Sequence, residues 1–450
     1  MPAMKRYSFP VITWPEGGET KSARWRSEAG LPPHGKVVVV DDRLSVDAAW
    51  KMAGDGTAML WRGDWQNVRH LLLGLSRRAE RQPRSGSQKR PATPAEAFEL
   101  HRRNQGRRAQ MLAMLLVPLG ADYCVPLRRA QDVRQACIEA YGLPAGEDSV
   151  VSLRELLAVV SAHEWRKKGV PVPAVEGRIY PHFGVFSPVR GEYVDLVARA
   201  PLPANCDLAF DIGTGYGIIA AILARRGVKK VVATDLDERA LACASENVEK
   251  LGLTVAISLV KTDLFPEGRA KLVVCNPPWM PAQPRAPIED AVYDPDSQML
   301  RGFLIGLATH LTPGGEGWLI LSDLAEHLGL RSRQELLDWI SKAGLRVMDR
   351  LDTRPQHPKV SDRADPLHAA RTAEVTSLWR LVAADGATVA AEQLIARIDT
   401  EGTAGAVAAP AAASATAVAA TPVAAATAGG NSKAGVAMPA AAKLLAENNL

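Results

Sequence analysis

The feature that most constrains the fold is an alternation of strand-like and helix-like apolar segments in the second half of the chain. From about residue 176 to residue 383, short runs such as LAFDIGTG and KVVATDLD alternate with runs of helical spacing, such as GIIAAILARRG. Strands that alternate with helices build a parallel sheet covered by helices on both faces. We therefore predict a doubly wound, mostly parallel α/β domain, with its functional residues at the carboxyl ends of the strands.

The sequence before this domain divides into segments of different pattern. Residues 36–82 contain two strand-like runs, KVVVVDD and GTAMLW, and then an amphipathic helical pattern, which indicates a small α/β piece. Residues 83–94 are rich in proline, serine and charge, as linkers are. Residues 95–168 have helical spacing, which predicts a helical subdomain. We expect an N-terminal α/β region and linker over 1–94, a helical subdomain over 95–175, the main domain over 176–383 and a tail over 384–450.

The tail and the cysteines bear on where the protein works. Residues 404–430 are mostly alanine, interrupted by proline and glycine, and are too weakly apolar for a stable membrane span. We predict a disordered tail instead. The first residues lack the apolar core of a signal peptide, and the five cysteines show no CxxC spacing, so we expect a cytoplasmic protein without a membrane partner. We expect no metal, because His, Cys and carboxylates do not cluster at ligand spacing.

A glycine-rich turn follows the first predicted strand of the main domain. The run DIGTGYG, residues 211–217, places three glycines between a strand and a helix, where a tight turn lets the backbone approach a ligand. Its spacing is G-x-G-x-G, whereas a dinucleotide-binding turn has G-x-G-x-x-G, whose third glycine would fall at Ile218. The turn therefore predicts a ligand site and disfavours a nicotinamide cofactor.

Two aspartates follow the next two predicted strands. Asp235 ends the run KVVATD, where a carboxylate can accept hydrogen bonds from both hydroxyls of a ribose. Asp263 follows the third strand, where a carboxylate can accept from an adenine amino group. Each aspartate taken alone also suits a helix N-cap. Together with Asp211 they place acids at three strand ends of one sheet, which is typical of a ligand site.

Four runs of this region, DIGTGYG, ATDLD, TDLF and NPPW, resemble motifs of the Rossmann-like (class I) S-adenosylmethionine-dependent methyltransferases, in particular the methyltransferase small domain branch. The resemblance covers about residues 176–383. It implies a seven-stranded sheet and S-adenosyl-L-methionine as the cofactor. It also implies the cofactor-binding residues: Asp211, Gly213, Thr214, Gly215 and Gly217 around the methionine part, Asp235 and Leu236 at the ribose, Asp263 and Leu264 at the adenine, and Asn276.

The run NPPW ends the fourth predicted strand. In the family that it resembles, Asn-Pro-Pro-aromatic marks enzymes that methylate a planar nitrogen, a poor nucleophile because its lone pair is delocalised. The resemblance assigns catalytic roles to Asn276, Pro277, Pro278 and Trp279. The Asn276 side-chain oxygen and the Pro277 carbonyl would accept from the two N–H groups and favour charge on the attacking nitrogen. The prolines fix the backbone, and Trp279 would stack on the flat group.

Segments on either side of these motifs supply further candidates. By the same resemblance, a stretch upstream of the first strand covers the cofactor, and Phe183, Phe186 and Arg190 would line that pocket. Packing of both phenylalanines against the first helix fits equally well. Downstream, residues 284–298 form an acidic loop that carries Glu289, Asp290, Asp294 and Asp296. Loops in such a position often select the substrate.

Three functions stay open on the sequence. The favoured one is N-methylation of an amino group on a nucleic-acid base in RNA, ribosomal RNA included, with RNA as the partner. The basic stretch from Arg77 to Arg108, with ten Lys or Arg against three Glu, favours it, although such a stretch also suits a solvated helix face. The alternative is a protein glutamine N-methyltransferase acting on a translation factor or ribosomal protein. The third is a non-catalytic, cofactor-binding scaffold.

Overall fold

The computed structural model describes residues 9–81, 91–185, 191–285, 287–356 and 360–384. Two sheets organise this part of the chain, one of six strands and one of seven, with a two-stranded ribbon between them in sequence. Residues 83–90 of the predicted linker over 83–94 lie outside the described residues, and so does the predicted disordered tail from residue 385 onward.

The N-terminal unit is a mixed sheet that packs against helices. Its strands are β1 (Val11–Glu16), β2 (Glu19–Arg26), β3 (Val37–Val40), β4 (Ala58–Trp61), β5 (Leu115–Leu119) and β6 (Ser149–Ser152), in the spatial order β1-β2-β6-β5-β4-β3. Its helices are α1 (Val46–Gly54), α2 (Trp65–Arg81), α3 (Pro94–Ala113), α4 (Arg134–Tyr141) and α5 (Leu153–Lys168). Buried Trp61, Trp65 and Leu115 belong to the apolar core of this unit.

The predicted helical subdomain over 95–175 is not a separate unit in the structure. Helices α3, α4 and α5 form, but β5 and β6 lie between them and complete the N-terminal sheet. The sequence hides β5 because its run LLVPL continues the apolar pattern of α3, and because proline is rare inside a sheet. β4 pairs only with Leu115 and Leu116 of β5, so Pro118 lies beyond the ladder on that side.

The C-terminal unit contains the seven-stranded sheet. It is preceded by the ribbon of β7 (Val170–Val172) and β8 (Gly177–Ile179), joined by a 3-10 turn at Pro173–Val175. The strands of the sheet are β9 (Leu208–Ile212), β10 (Lys230–Asp235), β11 (Ile257–Lys261), β12 (Ala270–Cys275), β13 (Leu311–Ser322), β14 (Leu345–Thr353) and β15 (Thr376–Ala383). The helices are α6 (Glu192–Arg199), α7 (Ile218–Arg225), α8 (Glu238–Lys250), α9 (Gln298–His310), α10 (Leu324–His327), α11 (Arg333–Lys342) and α12 (His368–Ala373), with 3-10 segments at Pro287–Ala291 and Pro295–Ser297.

These strands lie in the order β11-β10-β9-β12-β13-β15-β14. The first five of that order are parallel, and β15 runs antiparallel between β13 and β14. This confirms the predicted seven-stranded, doubly wound, mostly parallel sheet. Both faces are apolar: in β12, Leu272 and Val274 join one core cluster, and Val273 and Cys275 join the other. The strand order reverses at β9, so the crevice at the carboxyl ends of β9, β10 and β12 is where ligands bind in such sheets.

The two sheets differ in strand order. In the N-terminal unit, β3, β4 and β5 lie side by side in the order of the sequence, whereas in the C-terminal unit the first strand, β9, lies in the middle of the sheet. The N-terminal unit is therefore not a second copy of the C-terminal fold.

Candidate active site

A cavity of about 930 Å³ lies between the N-terminal and C-terminal units. The C-terminal unit contributes the carboxyl ends of β9, β10 and β12 to its wall. The N-terminal unit contributes the loop after β2, helix α3 and the first turns of α5. The volume is at the upper end of the range for small-molecule sites, so a ligand of cofactor size fits together with a substrate group.

The glycine turn joins β9 to α7 and lines the cavity with Gly213, Thr214 and Gly215. Gly213 has φ +70° and Gly215 has φ +57°, a region of backbone conformation that favours glycine. A Cβ atom on Gly213 would lie 2.7 Å from Cε of Met299, so that flexible side chain would have to move. The backbone of the turn can therefore approach a ligand closely, as the sequence predicts.

Asp211 is fully buried at the end of β9 and is hydrogen-bonded through one oxygen. Its Oδ2 accepts from the Thr214 hydroxyl (2.6 Å) and from the Ala220 backbone N–H (3.0 Å). Its Oδ1 has no hydrogen-bond partner among the described residues. Burial raises the pKa of Asp211 to about 7 despite those two hydrogen bonds. A buried carboxylate oxygen without a partner is costly when the group is ionised, which agrees with the raised pKa.

Asp235 ends β10 and lines the cavity beside the glycine turn. Its Oδ2 accepts from the Gly215 N–H (2.9 Å) and its Oδ1 from the Asp237 N–H (3.0 Å), so backbone donors fix the carboxylate in place. Burial raises the pKa of Asp235. Leu236 also lines the cavity, and 60% of its surface is exposed. The predicted ribose acceptor thus lies next to the glycine turn, with lone pairs left for hydroxyl donors.

Three further predicted cofactor residues lie, like Asp211, outside the lining of the cavity. Asp263 is exposed in the loop after β11. Leu264 belongs to the core cluster around α9, and its carbonyl accepts from the Thr234 hydroxyl (2.6 Å). Gly217 precedes α7, where a Cβ atom would lie 3.2 Å from that of Ala244, so this glycine serves helix packing. Their roles in cofactor binding stay predictions.

The NPPW run follows β12, and all four of its residues line the cavity. The indole N–H of Trp279 donates to Oδ1 of Asn276 (3.0 Å). An amide oxygen accepts two hydrogen bonds, so this one orients the Asn276 side chain and leaves one acceptor position on Oδ1. Trp279 is half-buried and packs against the core clusters on both faces of the sheet. The motif predicts the four residues but not this bond, because it depends on side-chain rotamers.

Asn276 and Pro277 can act together on a planar nitrogen. The open position on Oδ1 of Asn276 and the carbonyl of Pro277 belong to consecutive residues at one strand end. Two acceptors of this kind match the two N–H groups of one amide or amino group. Proline at 277 and 278 restricts φ and leaves no backbone N–H to be satisfied at the wall of the cavity.

The contribution of the N-terminal unit to this site was not predictable from the motifs. Helix α3 lines the cavity with Phe98 and Arg102, among others. Arg102 is buried, donates to the Gln283 carbonyl (2.7 Å) and approaches Oε2 of Glu289 (3.3 Å). Its guanidinium lies 4.0 Å from the centre of the Tyr293 ring. Helix α3 is thereby fixed to the loop that follows NPPW, by contacts between distant segments that leave no periodic signal in the sequence.

The predicted upstream segment lies partly outside the described residues. Phe183 lines the cavity and also packs against an apolar cluster of α4 and α5. Phe186 and Arg190 lie outside the described part of the chain, so their predicted place beside the cofactor stays a prediction.

Two of the four acidic residues named in the predicted loop line the cavity. Glu289 and Asp290 line it, and burial raises the pKa of Asp290. Asp294 is buried and instead accepts from the backbone N–H groups of Met299 (3.0 Å) and Leu300 (3.1 Å), so it caps the start of α9. Asp296 is exposed and is absent from the lining.

The charges on the cavity wall are mixed. Among the described residues, five arginines and six carboxylates line it: Arg102, Arg154, Arg239, Arg285, Arg371, Glu28, Glu155, Asp235, Asp237, Glu289 and Asp290. Proteins that track a phosphate backbone present an excess of positive charge. The wall itself does not have that excess.

The predicted basic stretch is partly paired within the protein. Arg78 pairs with Asp47, and Arg108 pairs with Glu80. The exposed arginines of this stretch include Arg103 and Arg107 on α3 and Arg77 on α2, while Arg84, Lys89 and Arg90 lie outside the described residues.

None of the helices in the described ranges is long and apolar enough to cross a membrane. Within the same ranges, no group of three or more His, Cys, Asp or Glu side chains is arranged to hold a metal ion.

Residues 176–333 match the family model described as methyltransferase small domain. The chain is similar to a release factor glutamine methyltransferase from Cereibacter sphaeroides, with 33% identity over 159 residues that cover 32% of this chain and 55% of that protein. It is also similar to a tRNA1(Val) (adenine(37)-N6)-methyltransferase from a Shewanella species, with 25% identity over 171 residues that cover 36% of this chain and 71% of that protein. The chain thus spans about half the length of the first relative.

Among solved structures, the ribosomal protein L11 methylase from Lactobacillus delbrueckii subsp. bulgaricus has 19% identity and a TM-score of 0.30, over 43% of this chain and 79% of that chain. A TM-score of this size carries no argument about function. The family match includes the glycine turn, Asp235 and the NPPW run. Residues 176–333 of the chain therefore match the methyltransferase small domain family, and the relatives reported above are named as methyltransferases.

Proposed function

We propose that this protein transfers a methyl group from S-adenosyl-L-methionine to a planar nitrogen, and that this nitrogen belongs to the side-chain amide of a glutamine in a protein. One observation carries the proposal: Asn276 and Pro277, whose acceptor groups match an amide NH₂, line the same cavity as the glycine turn and Asp235.

The strand ends suit this cofactor, which supplies an activated methyl group on a positively charged sulfur. Asp235 offers a fixed carboxylate to the ribose hydroxyls. Asp211 does not line the cavity, and its hydrogen bonds to Thr214 and the Ala220 N–H hold the glycine turn in place. Gly213 and Gly215 let the backbone approach the methionine part closely.

Asn276 and Pro277 would hold the target amide and lower the barrier. When the amide nitrogen attacks, its lone pair leaves conjugation, and its N–H groups become more positive and better donors. Acceptors that are fixed in advance then bind these groups more strongly than in the ground state, which is the condition for catalysis. The proton leaves after methyl transfer, so no side chain need act as a base. Positioning of the amide nitrogen against the methyl group then provides most of the rate enhancement.

Two observations favour a glutamine amide over a nucleobase. Two relatives named as release factor glutamine methyltransferases match this chain at 33% and 34% identity over 159 and 175 residues, whereas two tRNA methyltransferases match at 25% over 171 residues and at 36% over 80 residues. The cavity wall carries six carboxylates against five arginines among the described residues, which does not suit a phosphate backbone. We therefore propose the glutamine amide as the first candidate, whereas the sequence analysis favours an amino group on an RNA base.

An amino group on an RNA base is the second candidate. Arg103 and Arg107 are exposed one turn apart on α3, the helix that forms part of the cavity wall, and they offer two charges to phosphates. Trp279 lines the cavity with a flat surface on which a base can stack. The similarity to a tRNA methyltransferase favours the same class.

Exchange of Asn276 tests the proposed chemistry. We expect Asn276→Ala to bind S-adenosylhomocysteine with the wild-type Kd in calorimetry, and to lose about 100-fold in the rate of methyl transfer to a cell extract. Asn104→Ala, at an exposed position of α3, is the matched control and should keep both values. Equal loss of binding and transfer in Asn276→Ala would contradict the role of Asn276. Binding without any transfer by the wild type would support the scaffold function instead.

A further inference from the structure

Two helices of this protein, α5 and α11, begin with the same sequence signature, but the glutamates of the two signatures make different hydrogen bonds. Residues 152–155 and 332–335 both read S-x-x-E, the pattern of a capping box. At α11 the box is complete: Oγ of Ser332 accepts from the Glu335 N–H (3.1 Å), and Oε2 of Glu335 accepts from the Ser332 N–H (2.7 Å). At α5 the first half is present, from the Glu155 N–H to Oγ of Ser152 (3.1 Å).

The Glu155 carboxylate is not used to complete the box at α5. It accepts from the Glu28 backbone N–H, at 3.1 and 3.2 Å to its two oxygens, and from the Tyr141 hydroxyl (3.1 Å). Ser152 is also the last residue of β6, so its backbone belongs to the sheet. Glu155 lines the cavity that Asn276 lines from the other unit, whereas the matching Glu335 is exposed and absent from that lining.

The hydrogen-bond partners of Glu155 carry no positive charge, although nearby Arg26 acts to lower its pKa. Its hydrogen bonds come from two neutral donors, a backbone amide and a phenol. Arg239 pairs with Glu28 (2.7 Å), and Arg26 donates to the Tyr123 hydroxyl (3.2 Å). Burial raises the pKa of Glu155 to about 7, by more than its hydrogen bonds lower it. An ionised carboxylate has about four acceptor positions, so its oxygens can accept further N–H groups.

We propose that Glu155 is a substrate-recognition residue whose carboxylate binds a guanidinium of the protein substrate, close to the glutamine that is methylated. The inference rests on the proposed function and extends it. In it, the N-terminal unit selects the substrate sequence around the methylated glutamine. A guanidinium brings both the positive charge and the planar set of N–H donors that this end of the cavity accepts. The substrate segment would then lie between Glu155 on the N-terminal wall and Asn276 on the C-terminal wall.

Two synthetic peptides test the proposal on the full chain. One is a pentapeptide with glutamine between two arginines, and the other has two citrullines, which keep the shape of arginine without its charge. Binding to protein saturated with S-adenosylhomocysteine is measured by calorimetry, and methylation of the same peptides is measured with labelled cofactor. We expect the wild type to bind the arginine peptide about tenfold more tightly at pH 8. Glu155→Gln should reduce this ratio to about one, and Glu335→Gln should keep it.

The ratio should also depend on pH in the wild type. Recognition needs the ionised carboxylate, so the preference for arginine should shrink between pH 8 and pH 6, as Glu155 takes up a proton. In Glu155→Gln the ratio should not change over this range. The charged and titratable groups around Glu155 include Glu28, Arg26, Tyr141 and Arg154, and none of them is substituted in this variant.

The outcomes separate this inference from the proposed function. A wild-type protein that binds both peptides equally would overturn it, and so would a Glu155→Gln protein that keeps the preference or that loses S-adenosylhomocysteine binding as well. A preference for arginine that depends on Glu155, without methylation of either peptide, would support the recognition role and contradict the glutamine chemistry.

Discussion

The bond between Trp279 and Asn276 explains what a tryptophan contributes at the last position of the NPPW run. A phenylalanine there would fill similar apolar space but has no donor for the asparagine. Because the indole N–H donates to Oδ1 (3.0 Å), the amide is oriented before a substrate arrives. A side chain whose orientation is fixed by a neighbour stays in the geometry that binds the substrate for more of the time.

Replacing this tryptophan should therefore affect turnover more than binding. We expect Trp279→Phe to lower kcat about fivefold, the equivalent of one hydrogen bond of about 1 kcal/mol, with the Kd for S-adenosylhomocysteine unchanged. Trp339→Phe, in the helix α11, is the control and should leave kcat unchanged. A variant with wild-type kcat and a lower Tm would show that Trp279 serves packing alone.

The buried Asp211 makes the stability of the ligand-free protein depend on pH. Its folded-state pKa is about 7, raised from an ordinary value of 3.8, so between these two values the folded protein binds a proton that the unfolded chain does not. Stability should therefore fall as the pH rises through this window and level off above it. We expect the free energy of unfolding of Asp211→Asn, relative to wild type, to increase from pH 5 to pH 8 in urea titrations. A difference that is the same at both pH values would contradict the raised pKa.

At the scale of residues, the sequence predicts the chemistry that resides in local motifs. The glycine turn, Asp235 and the NPPW run line one cavity, because the ends of neighbouring parallel strands meet at one sheet edge. Asp263 does not line it, since the loop after β11 carries this side chain into solvent. The sequence pattern shows that a residue lies near the end of a strand, but it does not determine where the side chain points.

At the scale of elements, helix α3 connects the two units through buried Phe98 and Arg102. Arg102 has 6% of its side chain exposed and contacts Gln283, Glu289 and Tyr293, all in the loop after NPPW. Removing one partner of a buried ion pair leaves the other charge uncompensated, which costs about 3 kcal/mol or more. This helix therefore positions a loop that belongs to the active-site wall.

Two adjacent arginines give a matched test of this contact. We expect Arg102→Met to lower the free energy of unfolding by about 3 kcal/mol in urea titrations and to weaken substrate binding, because the loop loses its support. Arg103→Met, at the exposed neighbouring position, should change stability by less than about 0.5 kcal/mol. Equal effects of the two substitutions would contradict the positioning role of Arg102.

The sequence predicts the elements of the C-terminal unit better than those of the N-terminal unit. Long runs of strict strand or helix period define β9 to β13, whereas β5 continues the apolar pattern of α3 and is concealed by it. The sequence also contains a local signal for the hairpin of β1 and β2, which our prediction of the N-terminal region omits. Ile12 and Trp14 alternate with exposed residues, and Gly17 and Gly18, at φ +67° and +83°, form a turn that favours hairpins.

At the scale of the whole molecule, the cavity belongs to neither unit alone. In our proposals, the C-terminal unit provides its catalytic wall and the N-terminal unit provides its selective wall. Docking of two units depends on side chains that are distant in sequence, such as Arg102 with Glu289 and Glu28 with Arg239. Such pairs have no period or spacing, which is why the sequence predicts both chemistry and fold but not the shared site.

The central claim is that the protein methylates a planar amide nitrogen, and the product of the reaction tests it most directly. Wild-type and Asn276→Ala proteins are incubated with cell extract and S-adenosyl-L-methionine labelled in its methyl group, and the protein and RNA fractions are separated. The account predicts label in the protein fraction with the wild type only, released as methylamine by acid, which cleaves the methylated amide bond. Label released by ribonuclease as methylated nucleotides would contradict the glutamine substrate. Label in neither fraction above the Asn276→Ala background would contradict methyl transfer altogether.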